Sequence, residues 1–359
     1  MKKRIIAIHL PQYYPFPEND EWWGKGFTEW RNVTAAKPRF CGHYQPHLPA
    51  DLGFYDLRLK ESRIAQQELA KKYGIDGFCY YHYWFNGHLL MEKPVEAMLA
   101  DKNENFPFMF CWANENWHRN WSGKSNVTLM EQHYNKEDDK KHFEYLLPYF
   151  KDPRYIRIDG KPVFALYKIQ YIPDVESMLE TFQEMAKENG FELYICKFEA
   201  NGCQGESFMK KGINAAIDFQ PINNAGFSPY YTLFVKAINK LFPFVKKAYR
   251  YSYKKYVDFQ CAKEKQNYKM YPCVSPCWDN SSRRVGGIYT VFHGSSPKLF
   301  ENWLKKIYHD FMPYTPEENL VFINAWNEWA EGCHLEPDMK FGLGFLEMVK
   351  KTVSENKDK

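Results

Sequence analysis

The chain has 359 residues, enough for one large α/β barrel or two ordinary domains, so length alone leaves the domain count open. Its composition, 45% apolar and 26% charged, is that of an ordinary globular protein, and no run approaches the ~18 apolar residues that would cross a bilayer. A net charge of +4 is too mild to point to nucleic acid as a partner.

Met1-Lys2-Lys3-Arg4 and the apolar run 5–10 have the outline of a secretion signal, but the run is six residues long and Pro11 ends it without a small-residue cleavage site. It reads as a first strand. Residues 11–52, rich in Pro, Trp, Tyr and His, follow as a long insertion. Beyond it, short apolar runs alternate with amphipathic stretches. Strands are expected at 77–84, 106–113, 162–167, 193–198, 215–220, 271–277 and 320–326. Helices are expected near 56–73, 94–101, 136–150, 174–189, 205–211, 297–311 and 344–356, with Asp174 and Pro297 marking N-termini. A second insertion, 228–266, interleaves lysines with aromatics; its segment 234–256 would suit contact with a membrane or lipid-linked glycan, or else a solvated helix packing its aromatic side on the body.

Eight strands alternating with helices predict a single (β/α)8 TIM barrel spanning 1–359, with insertions after strands one and six. A doubly wound sheet shares the alternation but carries a glycine-rich turn after its first strand; here Pro11-Gln12-Tyr13-Tyr14-Pro15 stands in that place. The nine cysteines are odd in number and several lie inside strand-like runs. Reduced, buried thiols are expected, which fits a cytoplasmic location. Cys273 and Cys277 lack a second pair, and His43 and His47 lack an obvious third ligand, so no metal and no cofactor are expected. Ser122-Gly123-Lys124-Ser125 lacks the earlier glycine of a phosphate loop.

Catalytic residues of such barrels gather at the C-terminal ends of the strands. Strand one ends at His9 and Gln12, and strand two carries Tyr81, His82, Tyr83 and Trp84. Strand three ends at Trp112, Asn114, Glu115, Asn116 and Trp117; strand five at Glu199-Ala200-Asn201; strand seven at Trp278 and Asp279. The first insertion adds Tyr13, Trp22, Trp23 and Trp30. Flat rings beside amides and carboxylates suit sugars, whose C–H faces stack and whose hydroxyls need bidentate partners. Singly, His82, Trp112 and Trp117 read equally well as core packing.

The last strand ends in Asn327-Glu328-Trp329-Ala330-Glu331-Gly332. On one turn the two glutamate Cβ atoms would lie ~5–6 Å apart, near the separation that serves one anomeric centre with retention. The bland alternative is a pair of acids at a helix N-terminus.

That segment, with His334, Leu335 and Glu336 after it, resembles the Asn-Glu-Trp-x-Glu-Gly motif of glycoside hydrolase family 99, the endo-α-mannosidases and endo-α-mannanases. More closely still, the chain resembles the WbsX-type family of bacterial polysaccharide-locus proteins, described as family-99-like and often labelled lipopolysaccharide-biosynthesis glycosyltransferases. That likeness runs through His9 to Pro17, Glu18 to Gly24, Gly26 to Trp30, Gly42 to His47, Gly77 to Asn86, Cys111 to Trp117 and Asp159 to Val163. It implies a (β/α)8 barrel and a metal-independent, retaining hydrolysis through an anhydrosugar. Glu328 would take the proton of the substrate's 2-hydroxyl, and Glu331 would be the acid/base. Outside the motif the likeness to family 99 is faint, so no sugar preference carries over. The expectation is a retaining endo-α-glycosidase acting on an oligosaccharide or polysaccharide. The alternatives are a glycosyltransferase of O-antigen, capsule or lipopolysaccharide assembly and a barrel that binds glycans without turnover.

Overall fold

The computed structural model describes residues 3–119, 127–199, 202–221, 227–284 and 286–355. Ser122 to Ser125 and the Ala200-Asn201 strand end lie outside them.

Eight parallel strands form the centre: β1 (Arg4–His9), β2 (Gly77–Phe85), β3 (Phe108–Trp112), β4 (Lys161–Leu166), β5 (Tyr194–Phe198), β6 (Ala215–Ile217), β7 and β8 (Leu320–Ile323). Each pairs in parallel with its sequence neighbours, and β8 returns to β1 with Ile5 opposite Val321. β7 is two short pieces, Met270–Tyr271 on β6 and Cys273–Val274 on β8, so the ring closes through it. Pro272 between them has no N–H to give a ladder, and only its carbonyl is used, by the Phe322 amide at 2.8 Å. The strands are almost wholly buried, as they must be with a packed lumen inside and helices outside.

Among the described residues the helices, in chain order, are α1 (Pro17–Trp23), α2 (Trp30–Ala35), α3 (Lys60–Lys72), α4 (Lys93–Ala100), α5 (Lys136–Phe150), α6 (Val175–Glu188), α7 (Pro229–Leu241), α8 (Tyr253–Cys261), α9 (Pro297–Asp310) and α10 (Gly344–Glu355). Side-chain caps start several where the sequence places them: Asn135, Asp174 and Ser296 accept from the amides of Asp138, Ser177 and Leu299. The helix expected at 205–211 is instead a single 3-10 turn, Glu206–Phe208. Gly205 and Gly212 both hold positive φ, which takes the backbone out of the helical region on either side of that turn.

α1 and α2 belong to the first insertion, which lies across the C-terminal ends of the strands. The second insertion holds α7, α8 and a strand, Tyr249–Ser252, that pairs in parallel with Thr290–His293 outside the barrel. All nine cysteines are free thiols. Among the described residues, no helix is long and apolar enough to cross a membrane.

Candidate active site

Beyond β8 the chain makes a tight hairpin: Asn327–Glu328 pairs antiparallel with Cys333–His334 around a 3-10 turn, Trp329–Glu331. No α-helix starts there; the next begins at Gly344, so the glutamates are not helix-capping charges. Gly332 closes the turn with φ +52°, and a Cβ on it would stand 3.0 Å from Cβ of Asp279 and 3.2 Å from the Asp279 carbonyl oxygen. Tyr13 ties the hairpin down: its hydroxyl donates to the Asn327 carbonyl at 2.9 Å and accepts from the Trp329 amide at 3.1 Å. The Asn327 side chain completes the tie, bonding both the amide and the carbonyl of Leu10 at 2.8 and 3.0 Å.

So held, Glu328 and Glu331 point at one guanidinium. Arg283, from the loop after β7, donates through Nη1 to Glu331 at 2.7 Å, through Nη2 to Glu328 at 3.2 Å and through Nε to Glu29 at 3.0 Å. The loop itself is anchored by Asp279. Its carboxylate accepts from Gln45 at 2.7 Å and from the Ser281 amide at 2.9 Å, and lies 2.6 Å from His43 Nε2. Burial pushes that carboxyl up, but the His43, Gln45 and Ser281 contacts outweigh it and hold it below its ordinary value. The Asp279 amide donates to the Glu331 carbonyl at 2.6 Å, joining the loop to the hairpin.

Glu328 and Glu331, set against one guanidinium and largely shielded from water, cannot both ionise cheaply. Burial raises Glu328, and the Glu331 charge raises it further, against the pull of Arg283. Burial raises Glu331 too, while Arg283 and Arg284 lower it. The two therefore titrate as a pair that retains a proton well above the ordinary carboxylate range.

The pair opens into a cleft of about 480 Å³ lined by Tyr81, Tyr83, Glu115, Asn116, Trp117 and Trp278, and also by Tyr167, Phe219 and Asn280. A branch of about 160 Å³ adds Gln12, Trp23 and Glu29 and shares Tyr83, Trp117, Arg283 and Glu328 with the main cleft. Trp22 backs this wall, its ring edge-on to Trp117 at 5.3 Å. Burial raises the Glu115 carboxyl, and Lys168 stands 4.0 Å away.

The structure places the remaining expected sugar contacts behind the walls, with most of their polar atoms engaged by the protein. His9 lies 3.0 Å from Gln66, and burial drives its imidazole down to about 3, so it stays neutral. His82 faces His142 of α5 at 2.9 Å, and Trp84 donates to Asp138. Trp112 donates to the Trp84 carbonyl, and Asn114 bonds the Lys168 backbone through both amide atoms. Trp30 donates to the Tyr55 carbonyl at 2.9 Å. Tyr13, Asp279 and Asn327 support the loop and hairpin as above. Trp329 donates to Glu336 at 2.6 Å, and Glu336 also accepts from Tyr55 at 2.8 Å and Gln66 at 2.7 Å. Burial raises Glu336 to about 7, and its three donors oppose the rise.

His334 lies 2.9 Å from His47, and with Asp338 they bring ligand atoms within 4.8 Å of one another. These three could hold a metal, but the two imidazole nitrogens already contact each other directly at hydrogen-bond distance. They sit beside a separate cavity of about 80 Å³ lined by Asp279, His47 and Lys340, away from the glutamate pair.

Sequence reasoning missed Arg283, Arg284 and Glu29. Ser281-Ser282-Arg283-Arg284 follows the seventh strand directly, and a double arginine at a barrel strand end is a signal that charge pairing makes usable.

A parallel barrel with two carboxylates and an arginine at its mouth defines a (β/α)8 enzyme-like fold. The family model described as "Glycosyltransferase WbsX" matches residues 5–349, and the chain belongs to that family. The uncharacterized protein WxcX of Xanthomonas campestris pv. campestris strain B100 is 36% identical over 356 residues, covering 99% of this chain and 50% of that protein. WxcX of strain ATCC 33913 matches equally. The chain thus spans about half the length of the curated relatives it matches. Among solved structures, a glycoside hydrolase-like protein superposes with TM-score 0.62 at 16% identity, covering 98% of this chain and 94% of that one. The GH99 endo-alpha-mannosidase from Bacteroides thetaiotaomicron superposes with TM-score 0.59 at 13% identity, covering 99% and 98%. A GH5_18 protein from Streptomyces cattleya gives 0.51 at 8% identity, covering 99% and 80%. At these identities the likeness is one of fold.

Proposed function

We propose that the chain is a carbohydrate-active enzyme, a retaining endo-acting α-glycosidase on a bacterial or host polysaccharide, with Glu328 and Glu331 as its catalytic pair. One observation carries the reading: two carboxyls, Glu328 buried and Glu331 half-buried, share one guanidinium at the floor of an aromatic-walled cleft. Glycoside cleavage needs one carboxyl protonated and one ionised, and mutual repulsion in a site shielded from water supplies that division.

In the proposed chemistry the ionised Glu328 takes the proton from the sugar's 2-hydroxyl while that oxygen attacks the anomeric carbon. Glu331 gives its proton to the departing glycosidic oxygen. In the second step Glu331 removes a proton from water, which opens the anhydro ring, and Glu328 returns its proton to O2. The resting cleft has the opposite bias. Arg283 is closer to Glu331 and Arg284 favours its charge, so the retained proton prefers Glu328. A bound 2-hydroxyl that donates to Glu328 would stabilise the anion there and shift the proton to Glu331. Tyr81, Tyr83, Trp117 and Trp278 supply stacking faces for the ring and its neighbours.

The test is release of reducing ends from candidate polysaccharides. The native chain should release them, and Glu331→Gln should lose at least ~10³-fold while still binding glycan. Full activity in that variant would refute the assignment. The family's description favours a second reading, glycosyl transfer, in which an acceptor hydroxyl replaces water. That reading requires a donor such as a sugar nucleotide to raise the melting temperature, an effect the hydrolytic reading does not require.

A further inference from the structure

We infer that α7 and the turn after it form a docking surface for an anionic lipid membrane, separate from the catalytic cleft. α7 has three faces. Thr232 and Val235 are buried against the protein. Tyr230, Leu233, Phe234 and Leu241, spaced by three, four and seven residues, form one stripe that is open to solvent, with Tyr230 87% and Leu241 71% exposed. Phe242, Phe244 and Val245 extend the stripe past the helix end, Phe244 at 81% exposure. Exposed lysines border it: Lys236 and Lys240 lie one turn apart beside the apolar residues, and Lys246 follows Val245.

Large apolar side chains grouped on a surface need something to cover them. The charge decides what. Lys236, Lys240 and Lys246 border the stripe, and from 228 on the chain carries no carboxylate until Asp258, which pairs with Lys254 on α8 at 2.7 Å. Two copies meeting through such a face would oppose like charge to like charge, whereas an anionic lipid surface accepts the aromatics among its acyl chains and the lysines among its headgroups. The surface is also tied to the site. The strand Tyr249–Ser252 pairs with Thr290–His293, and Asp279 bridges to Val291, so the insertion is joined to the same loop that carries Arg283. A docked chain would work beside the bilayer, where glycans attached to lipid carriers are presented.

The experiment is co-sedimentation of the full chain with vesicles of phosphatidylcholine alone and of phosphatidylcholine with phosphatidylglycerol. Binding is expected only to the second, weakening with added salt. Each lysine removed in Lys236→Ala and Lys240→Ala should weaken it by about fivefold. Leu241→Glu with Phe244→Glu should weaken it at least ~10-fold while the melting temperature holds, because both side chains are already in water. Glu331→Gln should bind like the native chain, so a failure of docking and a failure of the catalytic proposal are told apart. Equal binding to both vesicles, binding unchanged in the doubly substituted chain, or a native dimer that these substitutions dissociate would each overturn the inference. The last result would hand the patch to a second copy.

Discussion

The two sides of the hairpin after β8 make opposite use of the same side chain. Glu328 and Glu331 face the cleft and meet a cation, Arg283, which they share with Glu29. Glu336, five residues beyond Glu331, faces inward and meets only neutral donors from Tyr55, Gln66 and Trp329. All three carboxyls are raised by burial. A displaced titration therefore does not mark a catalytic group by itself. What separates the two sides is access: the first pair lines a cavity that a sugar can enter, and Glu336 is 1% exposed with every donor around it fixed by packing.

The difference can be broken from either side. Glu336→Ala should have the largest effect on stability, roughly 2–4 kcal/mol, because it strands three buried donors and leaves a void; chemical denaturation measures it. The same residue gives the fold a pH signature. Its folded value of about 7 lies above its ordinary one, so the folded state binds the proton more tightly. Stability from this group is full at acid pH and declines as pH rises from the ordinary glutamate range through about 7. Glu336→Gln should flatten that slope.

Arg283→Met attacks the other side. It removes the cation that draws Glu328 and Glu331 down, so turnover should fall about 10²-fold and the whole bell-shaped pH–rate profile should move to higher pH. An unmoved profile would mean that Arg283 does not set the pair's charge. Smallest is Gly332→Ala. A methyl there would press on the Asp279 backbone, and the left-handed φ adds strain, so a loss of order 1 kcal/mol is expected with a larger proportional loss of turnover than of stability. Equal losses would show that the loop and hairpin do not position the site together.

Much of this was legible in the sequence. The alternation of apolar runs and amphipathic stretches located all eight strands, and the glutamate pair stood out at the end of the last. Within strands the orientation was readable but unused: Tyr81 and Tyr83 face the lumen while His82 and Trp84 face α5, as a period of two requires. Other features had no local signal. Arg283 sits on an irregular loop whose position depends on Asp279 meeting His43 and Gln45, more than two hundred residues earlier. Glu336 and Glu331 have the same chemistry at neighbouring positions, and only the three-dimensional packing tells which of them sees the cleft. The exposed stripe on α7 was visible as aromatics among lysines, but its outward direction was not.

The most direct test measures turnover and thermal unfolding side by side for Glu331→Gln and Glu336→Gln. Glu331→Gln is expected to lose turnover while its melting temperature holds, since Glu328 can ionise against Arg283 in its place, and Glu336→Gln to unfold at lower temperature yet keep measurable turnover while folded. The reverse pattern, with Glu331→Gln active and Glu336→Gln folded but inert, would contradict it.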